Sequence, residues 1–363
     1  MGLLEWTDYV QDLQDEASAT TRSNLIQDLA RRLEVTHLTP QLFNTLWVCP
    51  LARIKYLISR KSLTIPEMRE FFRDAWNQSA CRMVRQFREG YDREPRNPGA
   101  LYHDEEEREP PKMIEIAPEL VAEIKGDEIR ARARDGDVCV LTQQSRTKVA
   151  HTIPYSIFYG SDIARERIFT PLRRFWGEDA FKDAFALLSY KQKHDATPLP
   201  QQDRIENMIT LDHEVVKLLK QGLIALKPLS PSADRKSIFL ELWWLSEIPT
   251  TPKRKHEEQV HVSRIPAIMK RGQSSSVAGA YLAKMVDMNT GTCEALLSGD
   301  RFEVTTKNPE THPLPNYHLL ELAWCLQRIS GMSRGAEYYD DRHDEQDEDE
   351  YFARIEAERE ECS

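Results

Sequence analysis

Nowhere in this 363-residue chain does an unbroken apolar run approach the roughly eighteen residues of a membrane-crossing helix. No such helix is expected. The opening residues, Met1-Gly2-Leu3-Leu4-Glu5-Trp6, carry an early acid and no basic stretch, so they do not read as a signal peptide. Trp6 stands where a myristoylation motif after Gly2 wants Ser or Thr. Cysteine is sparse and scattered: Cys49, Cys81, Cys139, Cys293, Cys325 and Cys362, no two of them three apart. That spacing excludes a zinc knuckle and argues against a disulfide framework. It points to an intracellular setting, nuclear or cytoplasmic. No internal repeat is visible.

What the chain does have is a strong local excess of acid. Residues 337–363 hold thirteen acids and three bases, a balance of −10, which equals the net charge of the whole chain. Residues 1–336 are therefore neutral in sum. The acidic total says little about the surface of the folded part. The tail, 336–363, is expected to be disordered.

Periodicity divides the rest. Residues 1–90 read as helical: Leu25, Leu29 and Leu33 recur at helical spacing, and Met68, Phe71, Phe72, Ala75 and Trp76 form a second stripe. Thr64 with Glu67 resembles a capping box at the start of that second helix. Prolines and an acidic run make 91–112 a linker or exposed loop. A helix is expected from about Ala117 to Arg134, ended by Gly136. Val138 to Thr142 and Val149 to Ile153 read as strands. Mostly helical sequence follows over 161–195. Asn207 to Leu211 is short and extended, Glu214 to Gln221 is a short helix stopped by Gly222, and Leu223–Leu229 and Ser237–Leu245 look like strands. The stretch 249–276 is polar and reads as a loop. Asn316 caps a final amphipathic helix that runs to Ser330. The fold class is α+β.

Three segments carry the chemistry. The first is Cys139-Val140-Leu141-Thr142 followed by Ala150-His151-Thr152-Ile153-Pro154. The second is Asn207-Met208-Ile209-Thr210-Leu211. The third is Gly222-Leu223-Ile224-Ala225-Leu226-Lys227-Pro228-Leu229. In this order they resemble the fungal branch of the HNH nuclease family, over roughly residues 117–335. The resemblance implies a ββα-metal unit, a hairpin followed by a helix, within an HNH-like domain at 113–335 that carries additional strands and helices. It implies a divalent metal ion (Mg²⁺, Mn²⁺ or Zn²⁺) and phosphodiester hydrolysis. A neutral histidine takes a proton from water, and the metal ion stabilises the charge that develops on phosphate.

By that resemblance His151 is the general base and Asn207 braces the loop that orients it. The family's metal-binding histidine on the short helix aligns with Val216, which cannot ligate a metal. His213, three residues earlier, and Asp212 beside it are candidate replacement ligands, provided that the ion or the helix start has moved. The plainer readings stand beside these: His151 as a buried core histidine, Asn207 as a turn former, Val216 as core, His213 as a surface residue at a helix start. Two functions are therefore expected. One is a metal-dependent nuclease or its degenerate descendant. The other is a catalytically inactive HNH-fold protein that binds nucleic acid, DNA favoured, or a protein partner. Lys253-Arg254-Lys255 resembles a short nuclear-import signal.

Overall fold

The computed structural model describes residues 16–92, 100–102, 113–115, 118–154, 157, 162–177, 179, 181–188, 205–245, 260–263, 271–274, 283–287 and 292–333. The acidic tail, Lys253-Arg254-Lys255 and most of the stretch expected to be a linker lie outside them. In chain order the elements are α1 (Glu16–Arg32), β1 (His37–Leu38), α2 (Pro40–Val48), α3 (Leu51–Ser59), α4 (Pro66–Asp92), β2 (Ala100–Tyr102), β3 (Met113–Glu115), α5 (Pro118–Arg134) and β4 (Thr147–His151). They continue with α6 (Asp162–Trp176), α7 (Lys182–Leu188), β5 (Met208–Asp212), α8 (His213–Lys220), β6 (Ile224–Pro228), β7 (Ser237–Trp244), β8 (Val260–His261), β9 (Ala283–Asp287), β10 (Thr292–Ala295), β11 (Arg301–Thr305) and α9 (Tyr317–Met332). The protein is α+β. Among the described residues no helix is long and apolar enough to cross a membrane.

Local chemistry sets the boundaries of these elements. The Thr39 hydroxyl accepts from the amide of Leu42 at 3.3 Å, and Pro40 opens α2, where a missing N–H costs nothing. The Asn316 side chain accepts from the amides of His318 and Leu319 to start α9. Gly222 ends α8 in a left-handed turn (φ +65°), with its own amide bonded to Leu219 and that of Leu223 to Leu218. That is the Schellman arrangement, and it needs a residue without a Cβ penalty.

Two cores form. The first joins the N-terminal helices to α6, α7 and α9 through side chains such as Ile26, Leu46, Trp76, Phe175, Phe185 and Leu326. The second lies between the β4–β5 ribbon, α8 and a three-stranded antiparallel sheet ordered β11-β7-β6; Ile209, Val216, Leu240, Trp244 and Leu320 meet there. Helix α9 supplies both cores. It also comes so close to the α8–β6 turn that a Cβ on Gly331 would run into the Gly222 carbonyl oxygen.

Three local expectations are corrected. Residues 138–142 are not a strand. They close into a turn, with the Cys139 amide bonded to the Gln144 carbonyl and the Gln143 amide to that of Cys139, and Gln143 has a positive φ. Their apolar character serves burial, since Cys139 and Leu141 are fully enclosed in the second core. Thr64 does not cap α4: its hydroxyl donates to the Lys61 carbonyl at 2.7 Å inside a short 3-10 turn. Ala100–Tyr102, within the stretch read as a linker, pairs antiparallel with Met113–Glu115.

Candidate functional site

Strands β4 and β5 pair antiparallel with His151 opposite Met208 and Thr147 opposite Asp212, and α8 begins at the next residue. A strand pair followed by a helix is thus present, with residues 152–207 inserted between the strands. His151 ends β4 and is buried. Asn207, only 1% exposed, immediately precedes the residue paired with it.

Asn207 is bonded to the two residues that follow His151. Its side-chain oxygen accepts from the Thr152 hydroxyl at 2.6 Å and from the Ile153 amide at 2.9 Å. Its side-chain nitrogen donates to the Ile153 carbonyl at 3.0 Å. Its own carbonyl accepts from the Thr152 amide at 2.7 Å. A residue that donates and accepts at once over so short a span fixes the chain's exit from β4.

A buried ion pair secures the other side of the ribbon. Arg134, at the end of α5, pairs with Asp135 at 2.7 Å, and neither side chain is exposed. The same guanidinium donates to the carbonyls of Ile205 and Met208, which flank Asn207, and to that of Pro313. The Asp135 carboxylate accepts from the Thr210 amide at 2.8 Å. Each charge is thereby met by both its partner and the backbone, the condition under which a buried pair is tolerated.

The predicted ligand positions do not converge. Val216 is 4% exposed and lies in the same apolar core as Ala150, Ile209 and Leu211. Side chains alternate across a strand, so Ala150 and Ile209 face α8. His151 shares the opposite face with Val149 and Met208, which pack against Ala131 of α5. Asp212 uses its carboxylate to cap α8, accepting from the Glu214 amide at 2.8 Å. His213, the first helical residue, is exposed. Among the described residues no group of three or more His, Cys, Asp or Glu side chains is placed to hold a metal ion. Side chains that cap a helix, face solvent or fill a core do not fit a divalent-cation donor set.

A second constellation gathers on the outer face of the three-stranded sheet. Lys227, Glu241 and Arg301 stand abreast on β6, β7 and β11. Glu241 is buried. Its Oε2 accepts from Arg301 Nε and Arg271 Nη2, each at 3.0 Å, and its Oε1 from Trp243 Nε1 at 2.9 Å. Burial pushes the Glu241 carboxyl up, but the bond from Arg301 and the nearby Lys227 and Arg271 charges outweigh it and hold it below the usual carboxylate value. Burial pulls Lys227 below its usual value, with Arg328, Arg271 and Arg301 adding to the effect against Glu241. Of this group the sequence had marked only Lys227, as part of a strand motif. The one readable sign was Glu241 itself, the single charged residue in the otherwise largely apolar strand Ser237–Trp244. The partnership with Arg271 and Arg301, 30 and 60 residues away, was not readable.

Comparison with protein-family models, with curated proteins and with solved structures finds no match to this chain.

Proposed function

We propose that this protein is a degenerate relative of the HNH nucleases that binds nucleic acid without cleaving it. The observation that supports the loss of cleavage is the burial of Val216 among Ala150, Ile209 and Leu211, at the helix position where the resemblance implies a metal-binding histidine. A buried valine and alanine offer an ion nothing to bind. The cationic sheet face supports binding, since phosphates attract exposed guanidinium groups whatever the base sequence.

The intact-nuclease reading keeps one observation in its favour, the placing of His151 at the end of β4 beside a bracing Asn207. One experiment separates the two. The full chain is incubated with supercoiled plasmid and Mg²⁺, Mn²⁺ or Zn²⁺, beside His151→Ala, and its binding to duplex and single-stranded DNA is followed at low salt. The expected result is retarded, uncut DNA with all three metals. Cleavage that disappears in His151→Ala overturns the non-cleaving reading. Absence of binding to either form of DNA overturns the nucleic-acid reading.

A further inference from the structure

We propose that the outer face of the β6–β7–β11 sheet is a phosphate-binding site, at which Arg271 and Arg301 together grip the sugar–phosphate backbone of a nucleic acid. This rests on the nucleic-acid reading above and adds the surface that does the binding.

Two guanidinium groups share a single carboxylate oxygen, each at 3.0 Å, so they lie side by side at the surface. Each gives Glu241 one of its several N–H donors. Their side chains are 53% and 57% exposed, while that of Glu241 is 1% exposed. The carboxylate is therefore an internal brace, bonded to both arginines and to Trp243. The exposed edges of the arginines remain available to an anion from solvent.

Lys227, buried beneath this row, faces one carboxylate and three guanidinium groups, those of Arg271, Arg301 and Arg328. Like charges this crowded repel, and an added oxyanion relieves the repulsion. A phosphate suits two adjacent guanidinium groups because it accepts several N–H bonds at once.

Arg271 lies outside any helix or strand, yet its turn is pinned: the Gly272 amide donates to Ser298 at 2.7 Å and the Ser298 amide to Gln273 at 2.8 Å. Its stem runs across Gly299, where no Cβ would fit. Arg301 starts a paired strand. A site held on a strand and a fastened turn loses little freedom when it binds. Phe239, two residues before Glu241 on the same face, is 40% exposed and offers a base a ring to stack on. Glu303, exposed two residues beyond Arg301, bounds the patch with a negative charge.

The test is the salt dependence of DNA binding by the full chain, read by fluorescence anisotropy over a range of sodium chloride. Arg271→Gln with Arg301→Gln is expected to weaken binding about tenfold at low salt and to reduce the slope of log K against log salt by about two. Arg271→Lys with Arg301→Lys keeps the slope and loses part of the affinity. Removing two exposed cations elsewhere, Arg31→Gln with Lys55→Gln, leaves the slope unchanged. Should the double glutamine variant not fold, Arg271→Gln alone, on its turn, is expected to reduce the slope by about one. A folded variant that binds DNA with the wild-type slope overturns this site and leaves the nucleic-acid reading standing. No DNA binding by the wild type overturns both. Arginine-dependent binding of a phosphoserine peptide without binding of DNA overturns it in favour of a protein partner.

Discussion

The β4–β5–α8 unit and the β6–β7–β11 sheet use polar residues in opposite ways. In the hairpin unit the polar groups turn inward and are consumed by the fold. Asn207 closes on Thr152 and Ile153, Asp212 caps α8, and Arg134 and Asp135 are spent on the backbone around them. On the sheet one buried carboxylate holds two arginines whose other edges stay in water. Residues that resemble a catalytic motif can thus be occupied in holding a ribbon together, while groups outside any motif stay open to solvent.

Arg134→Met should produce the largest effect. It leaves Asp135 buried without its partner and three carbonyls without their donor, and a broken buried pair costs about 3–5 kcal/mol. Urea unfolding measures this; a loss below about 1 kcal/mol would mean that the hairpin does not depend on inward-turned charge. Asn207→Ala comes next, at about 2–3 kcal/mol, because the Ile153 amide loses its acceptor and the Ile153 carbonyl its donor, both in a buried setting. Neither variant, where still folded, should alter the salt slope of DNA binding. If either does, the two regions are not separate in function.

The smallest effect concerns pH and sharpens the sheet half of the comparison. The Glu241 carboxyl is held below its ordinary value of 4.5. A depressed carboxylate stabilises the fold above its unfolded pKa, and the stabilisation is lost as pH falls through the lower folded value. The melting temperature of the wild type should therefore exceed that of Glu241→Gln at pH 6, and the gap should close as pH drops below about 4.5. A gap that stays constant down to pH 3 would show that the carboxylate charge is not what braces the arginines.

Much of the fold was legible because its signals are local. The cap at Asn316, the stop at Gly222 and the strands β6 and β7 follow from residue types within a few positions of one another. Residues 138–142 misled for a physical reason: an apolar run says only that a segment is buried, and a plugged turn buries Cys139 and Leu141 as well as a strand would. That Asn207 lies beside the end of the strand carrying His151 was legible through motif order; that its bonds go to Thr152 and Ile153 was not. The filling of the hairpin–helix seam followed from Val216 once its neighbours Ala150 and Ile209 were in place. The Glu241 cluster was hidden because its members come from β6, β7, β11, α9 and an isolated turn. Long-range pairing of that kind leaves no periodicity to detect.

Helix α9 has a consequence for how the chain is made. Leu326 and Ile329 enter one core, Leu320 the other, and Gly331 touches the turn that leads into β6. During synthesis neither core is complete until this segment has left the ribosome. One helix thus closes both cores.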